Sequence, residues 1–465
     1  MADNELTDGD LIGPMIALAW PMVVIQLLQV AYNVADTFFL GAVSEDAVGA
    51  LSLAFPLIFF LISVGGGFTA AGAILVAQYT GAKSGKSADE IAGQTLAFVT
   101  LVAVVIGILG FLATDWMLSL LPAGPETQAR IVPLAADYMR IYFLGLPFLF
   151  GFYVFVSLMR GHGNTYTPMR VMAVSVAVNV LLDPLLIFGL GPFPRLEIEG
   201  AAIATIFARF VATALGLYVL FGTTAGPTIR LHHLKLDLGH VRDIVKLGVP
   251  SAVEQSSSSF AFIVLTAMVV TFPPPVVAAY GLGNRLISLV FLPALGLAMA
   301  VDTVVGQNLG AERPERASRA SRLAMGLVTL VMLLLTSIAY VFAEPIVAVF
   351  LTADTAGVPE TIAHGVSYMR IAAFMFVFMG VLQIVLGTFR GAGNTKTALA
   401  FSLVTLWVVR VPLTYYLVFV AGWAETGIWV AVLLGDVVGC IAALAWYTRG
   451  TWKERYVDVS TEGRV

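Results

Sequence analysis

Four residues of this chain have the types and spacing to hold a small cation: Asp36, Asn179, Asp183 and Thr205. Asp36 lies near the end of the apolar stretch LIGPMIALAWPMVVIQLLQVAYNVADTFFLG, Leu11 to Gly41. A carboxylate inside hydrocarbon costs at least ~2.5–3.5 kcal/mol, so it needs a partner, a proton or a task. Asn179 and Asp183 are four residues apart and share a helical face. Two carboxylates with amide and hydroxyl neighbours can share one proton or coordinate a sodium ion through oxygen. Asn33 and Gln26 fall close to the same face of the first stretch, and Pro21 removes a backbone hydrogen bond below them, where the helix can bend.

These residues are placed by a chain built for a membrane. Of its 465 residues 59% are hydrophobic and 12% charged, with mean hydropathy +0.92. A soluble domain carries about twice that share of charge. Apolar windows between polar breaks predict twelve spanning helices, near 11–40, 47–78, 91–120, 131–158, 167–190, 199–222, 241–272, 276–308, 320–351, 364–389, 396–421 and 425–448. Strand alternation is absent, which argues against a β-barrel. Asp36, Asp183 and Thr205 then lie at comparable depth from the outer face.

Basic residues set the orientation. Eighteen Lys and Arg fall in or beside one set of loops and the C-terminal tail, and only Arg130 and Arg195 in the other set. Both termini are therefore expected in the cytoplasm of a multi-pass plasma-membrane protein. The basic loops read as topology signals and lipid-headgroup contacts, not as a nucleic-acid surface. The opening MADNELTDGD lacks Lys and Arg, which argues against a cleaved signal peptide.

The chain repeats itself. Tyr138-Met139-Arg140-Ile141 returns as Tyr368-Met369-Arg370-Ile371, and the loop Arg160-Gly161-x-Gly163-Asn164-Thr165 as Arg390-Gly391-x-Gly393-Asn394-Thr395. Gln78-x-x-Gly81-Ala82 has its counterpart in Gln307-x-x-Gly310-Ala311, and Pro21 in Pro250. The expected organisation is an N-terminal six-helix lobe, 1–222, a cytoplasmic linker, 223–240, a C-terminal six-helix lobe, 241–450, and a cytoplasmic tail, 451–465. Repeats across an even number of spans share one orientation, so the expected fold is all-α with a pseudo-two-fold axis along the membrane normal, the architecture of alternating access. By the repeat offset, Asp36 corresponds to Leu265, Asn179 to Val409 and Asp183 to Leu413, so the acidic pair belongs to the first lobe alone.

Other chemistry is weak. Gly81 to Ser87 has one residue too few between its glycines for a P-loop, and the five histidines make no metal-binding pair. No enzyme, cofactor or metal is expected beyond a possible Na⁺ at Asp36, Asn179, Asp183 and Thr205. Glu254 and Gln255 follow Pro250 in a polar stretch that either lines a cavity or reaches cytoplasmic water. Arg410 and Asp436 are expected as an interhelical ion pair, while Arg209, Arg285 and Asp302 have no assigned role.

The twelve spans, the duplicated halves, the Arg-Gly-x-Gly-Asn-Thr loops and the acids of the first and fifth spans together resemble the multidrug and toxic compound extrusion (MATE) family, in its DinF-like branch. The resemblance covers about Leu11 to Thr448. It implies cation-coupled (H⁺ or Na⁺) antiport that exports organic, often cationic or amphipathic, compounds. It also implies a cation site in the N-lobe at Asp36, Asn179, Asp183 and Thr205, with Tyr138 beside it. The NorM-like branch carries a glutamate where this chain has Ser258, so a cation site in the C-lobe is not expected. The alternative from the same superfamily is a lipid or oligosaccharide flippase. Each chain is expected to work as a monomer.

Overall fold

The computed structural model describes residues 6–119, 124–351 and 358–457. Position 120, at the end of the third predicted span, and 458–465 of the tail lie outside them. No strand occurs among the described residues. Apolar segments in lipid must satisfy every backbone group internally, and the helix does this within one segment. Among the described residues eleven helices are long and apolar enough to span a bilayer. A twelfth span comes from α4 (Pro125–Leu144) and α5 (Leu146–His162), bent by 54°. The predicted span 131–158 falls on this bent pair of helices. Gly145 sits at the break, where a Cβ would lie 2.1 Å from the Ile206 side chain, and Pro147 opens α5. Its repeat counterpart, α12 (Val358–Gly391), has Met375 and Val377 at the matching places and runs unbroken.

Two compact units are present: Val24–Ala252, and Val253 onward together with the residues before Val24. Their borders fall inside α1 (Ile12–Gly41) and α8 (Leu238–Val269), not at the 223–240 connection. That connection belongs to the first unit for a visible reason. Gln94 of α3 (Gly85–Ser119) donates to the carbonyls of His233 (2.8 Å) and Lys235 (2.7 Å) and accepts from the Asp237 N–H (2.8 Å). Within it, burial and the neighbouring His232 ring push the His233 imidazole below its ordinary value, and its Nδ1 accepts from the Arg230 N–H. The segment before α1 joins the second unit because Arg313 and Arg316 hold it. Arg313 pairs with Asp8, and Arg316 donates to the carbonyls of Gly9 and Asp8, each at 3.0 Å. Two of the basic residues counted as topology signals thus bind backbone as well.

In the first unit α5 packs against α2 (Glu45–Gly81), α3 and α7 (Glu197–Gly222), while α6 (Tyr166–Phe188) lies along α7. In the second, α12 packs against α9 (Pro274–Gly310), α10 (Pro314–Val341) and α15 (Ala424–Tyr447). The repeat is visible in the loops. Gly163 (φ +103°) and Gly393 (φ +79°) take the left-handed conformation that ends a helix, and the Asn164 and Asn394 N–H groups each reach back to a helix carbonyl at 2.8 Å.

The repeat-related glycine before this loop makes the same close approach in both units. A Cβ on Gly161 would lie 2.5 Å from the Ala73 carbonyl oxygen, and one on Gly391 would lie 2.3 Å from that of Asp302. Gly161→Val is expected to destabilise the protein by about 1–3 kcal/mol, the usual cost of overpacking. Gly326→Ala, where a Cβ meets nothing within 4 Å, should be neutral. Thermal melting of the two variants in detergent checks this.

Candidate functional site: a buried acid pair in the first unit

The fold brings Asp36, Asn179, Asp183 and Thr205 together. All four are almost fully buried, with Asn179 and Asp183 at 0% exposure and Asp36 and Thr205 at 5%. Small residues make this possible. Ala201, Ala204 and Ala208 of α7 are wholly buried, and a Cβ on Gly200 would lie 2.6 Å from the Leu186 carbonyl oxygen, so α6 and α7 pack with their backbones close. Ser175 ties the same pair by donating to the Ala208 carbonyl at 3.1 Å.

Thr205 Oγ1 donates to Asp36 Oδ2 at 3.3 Å, and Asn179 Nδ2 donates to Asp183 Oδ1 at 3.2 Å. The two carboxyl groups are electrostatic neighbours. Neighbouring buried carboxylates disfavour double ionisation, so the arrangement suits a pair that shares one proton. Asp36 Oδ1, Asp183 Oδ2 and Asn179 Oδ1 are buried without a hydrogen-bond partner. Three such oxygens from an acid pair and an amide also match the hard-oxygen donor set a sodium ion prefers. This donor chemistry suits either cation.

Around this core stand aromatic hydroxyls. Tyr138 is buried and stacks on Tyr142 with ring centroids 6.1 Å apart. The Tyr32 hydroxyl donates to the Thr205 carbonyl at 3.1 Å. Arg209, one helical turn beyond Thr205, is 2% exposed. Its guanidinium lies 4.7 Å from the Tyr32 ring centroid and 5.4 Å from that of Phe152, and it donates to Gln29 Oε1 at 2.6 Å. A buried positive charge thus stands beside an acid pair that has no basic neighbour in sequence. The spacing of four from Thr205 on one helix face is the signal that points to it.

Other expected residues fall elsewhere. Asn33 is half-buried and accepts from Gln29 Nε2 at 3.3 Å, so it adjoins the Arg209 side of the cluster. Gln26 is half-buried about two turns before Asn33 on the same helix, and Pro21 is buried within α1, which continues through it. Glu254 is almost wholly shielded from water. It is buried in an ion pair with Arg390 at 2.7 Å, and Gln255 beside it is exposed. Arg410 and Asp436 form the expected interhelical pair at 2.6 Å.

The MatE family model matches residues 21–185 and 250–416, most of both repeats. This chain belongs to the MatE family. Among curated relatives of this MatE protein, "Probable multidrug resistance protein YoeA" of Bacillus subtilis is 29% identical over 94% of this chain and 93% of its own length. "Probable multidrug resistance protein NorM" of Deinococcus radiodurans is 30% identical over 90% of this chain and 91% of its own. A Shewanella oneidensis relative named "FAD transporter" is 28% identical over 86% of each chain. A solved structure described as the outward-facing conformation of a multidrug resistance MATE family transporter of the MOP superfamily matches with TM-score 0.89. It is 24% identical and covers 98% of this chain and 99% of its own, a likeness of fold.

Removing the guanidinium should loosen the whole cluster. Arg209→Ala loses a charge-assisted hydrogen bond and a two-ring cation–π clamp, together about 2–4 kcal/mol. A melting midpoint lowered by several degrees, with Arg209→Lys intermediate because ammonium lacks the planar fork, is the expected result.

Proposed function

We propose that this MatE chain is a secondary transporter that exports organic, often cationic or amphipathic, compounds by alternating access in exchange for H⁺ or Na⁺. The observation that carries the reading is the buried Asp36–Asp183 pair with its three unpartnered oxygens. Two desolvated carboxylates cannot both stay ionised and uncompensated. The Arg209 guanidinium offsets one negative charge, leaving room for one monovalent cation. A proton, a sodium ion and a cationic substrate are then alternatives at or beside one site, which is the logic of exchange. Family membership and relatives named for multidrug resistance support the same direction.

In this mechanism Asp36 and Asp183 hold the coupling cation, Asn179 and Thr205 fix the carboxylates through their hydrogen bonds, and Tyr138 closes the cluster toward the lobe interior. Arg209 keeps the empty pair from being doubly charged in isolation. Pro21 supplies the place where α1 bends. The relative named "FAD transporter" supports a second reading, export of a flavin nucleotide, in which the buried Arg209 faces a less cationic cargo. Proteoliposomes separate these readings. An imposed pH or Na⁺ gradient should drive uptake of ethidium, and Asp36→Asn or Asp183→Asn should reduce the initial rate to a tenth or less. Wild-type rates in both variants would place the coupling site elsewhere, and gradient-driven FAD uptake without ethidium uptake would favour the second reading.

Both termini are proposed to be cytoplasmic, on the bias of basic residues. The only cysteine, Cys440, is buried, so single-cysteine labelling has little background. In intact cells an impermeant maleimide should label Ala42→Cys and leave Lys86→Cys unlabelled, and the reverse pattern would invert the topology.

A further inference from the structure

α1 and α8 each pass from one compact unit to the other, and each is tied down just before it begins. In both cases the tie goes to the unit that holds the helix's first half. The first half of α1 belongs to the second unit, and the segment before it, 6–11, is fixed there. Asn308 of α9, wholly buried, donates through Nδ2 to the Leu6 carbonyl at 3.1 Å. Arg313 donates to the Thr7 carbonyl as well as pairing with Asp8, and Arg316 spans the carbonyls of Asp8 and Gly9. Leu6 and Leu11 are buried in the second unit's apolar core. Asp10 then caps α1, accepting from the Gly13 N–H at 3.0 Å.

The first half of α8 belongs to the first unit, and there the segment before it lies on α3 through the three Gln94 hydrogen bonds. A Cβ on Gly93 would lie 2.4 Å from that of His233, so only glycine lets the segment lie this close. Asp89, one helical turn earlier, accepts from the Thr228 N–H at 2.7 Å. Asp237 caps α8, accepting from the N–H groups of Gly239 at 2.8 Å and His240 at 3.2 Å.

The two ties are not copies. At the offset that pairs Gln78 with Gln307, Asn308, Arg313 and Arg316 correspond to Tyr79, Ser84 and Ser87, and Gln94 corresponds to Leu323. Ser84 and Ser87 hydrogen-bond one another at 2.9 Å. Different side chains thus build one order twice: tied segment, aspartate cap, half-helix in one unit, proline, half-helix in the other. A helix shared between two units can follow a movement by tilting as a rod or by yielding at its weakest turn. A fixed root removes the first choice, and the turn after Pro21 lacks one backbone hydrogen bond.

We infer that segment 6–11, held by Asn308, Arg313 and Arg316, is an anchoring strap that fixes the first half of α1, so that movement of the second half is taken up at Pro21. The segment on Gln94 does the same for α8. The use of this movement in transport rests on the export reading above, but the anchoring does not.

Amide hydrogen exchange on the full-length chain in detergent, without gradient or substrate, reads the two halves of α1 separately. Arg313→Gln/Arg316→Gln should speed exchange at positions 11–20 at least fivefold and leave 24–40 within twofold. Asp8→Lys sets a lysine against Arg313 at an exposed position where nothing need repack, and should act in the same direction. Lys83→Gln/Lys86→Gln, in the repeat-related loop of the first unit, removes two exposed charges and should change neither half. Melting midpoints confirm that each variant is folded. In proteoliposomes the strap variants should slow gradient-driven ethidium uptake at least threefold, with Asp36 and Asp183 untouched. Unchanged exchange at 11–20 in both strap variants, equal acceleration of both halves, or wild-type uptake with a released strap would overturn the assignment. Absence of uptake by the unaltered protein, with exchange as expected, would instead count against the export reading alone.

Discussion

The organisation of the first unit depends on the burial of two carboxylates and one guanidinium inside it. Each ion alone would cost several kcal/mol to desolvate, and the structure meets that cost with aromatic faces and hydrogen bonds, not with a direct ion pair. Arg209 is clamped by Tyr32 and Phe152 and bound to Gln29, while Asp36 and Asp183 are electrostatic neighbours. This keeps the carboxylates available. Had Arg209 closed a salt bridge on Asp36, the acid would be locked as a structural partner, as Asp436 is by Arg410. The small residues of α7 follow from the same demand. Only a backbone-close approach of α6 brings an asparagine and an aspartate one turn apart against a threonine on the next helix.

The repeat shows what is frame and what is lining. Both units keep the left-handed glycine in the Arg-Gly-x-Gly-Asn-Thr loop, the glycine against a carbonyl oxygen, and a buried tyrosine at 138 or 368. They differ at the residues that face inward from this frame. With α7 and α15 each counted from its opening positive-φ residue, Glu197 and Ala424, Leu265 and Val432 stand where Asp36 and Thr205 stand, and the ions at 209 and 436 carry opposite sign. The two repeats share these backbone features and differ in a handful of inward-facing side chains.

Much of this was legible in the chain itself, because hydrocarbon imposes a simple grammar. Apolar length gave the spans, and the cost of an intramembrane acid singled out Asp36 and Asp183. What stayed hidden is what depends on packing. Glu254 looked accessible because the serines after it are polar, yet its partner Arg390 is 136 residues away. Arg209 carried a signal, its spacing from Thr205, but Tyr32 and Phe152 come from other helices. The bend at Gly145 needed both Pro147 and the Ile206 side chain pressing on the glycine. Gln94 holds the central connection with three hydrogen bonds across about 140 residues, which no local pattern records.

The placement of the two repeat-related prolines joins these points. Pro21 and Pro250 are the counterparts of one another, and each lies two residues before the place where its helix passes from one compact unit to the other, after Val23 in α1 and after Ala252 in α8. Each proline withholds one backbone N–H, so each of these helices is weakest at the turn where its neighbours change. Beyond that turn the helices diverge in content. α1 runs on to Gln29, Tyr32 and Asp36, the residues that hold or surround the buried charges. α8 runs on to Ser258, Phe262 and Leu265, which line a cavity in the second unit. The same helix proline therefore precedes buried acids in one unit and a largely aromatic and aliphatic cavity wall in the other. The acid pair draws Asp36 from α1 and Asp183 from α6, whereas α8 has no titratable group beyond its proline except Glu254, which Arg390 already holds.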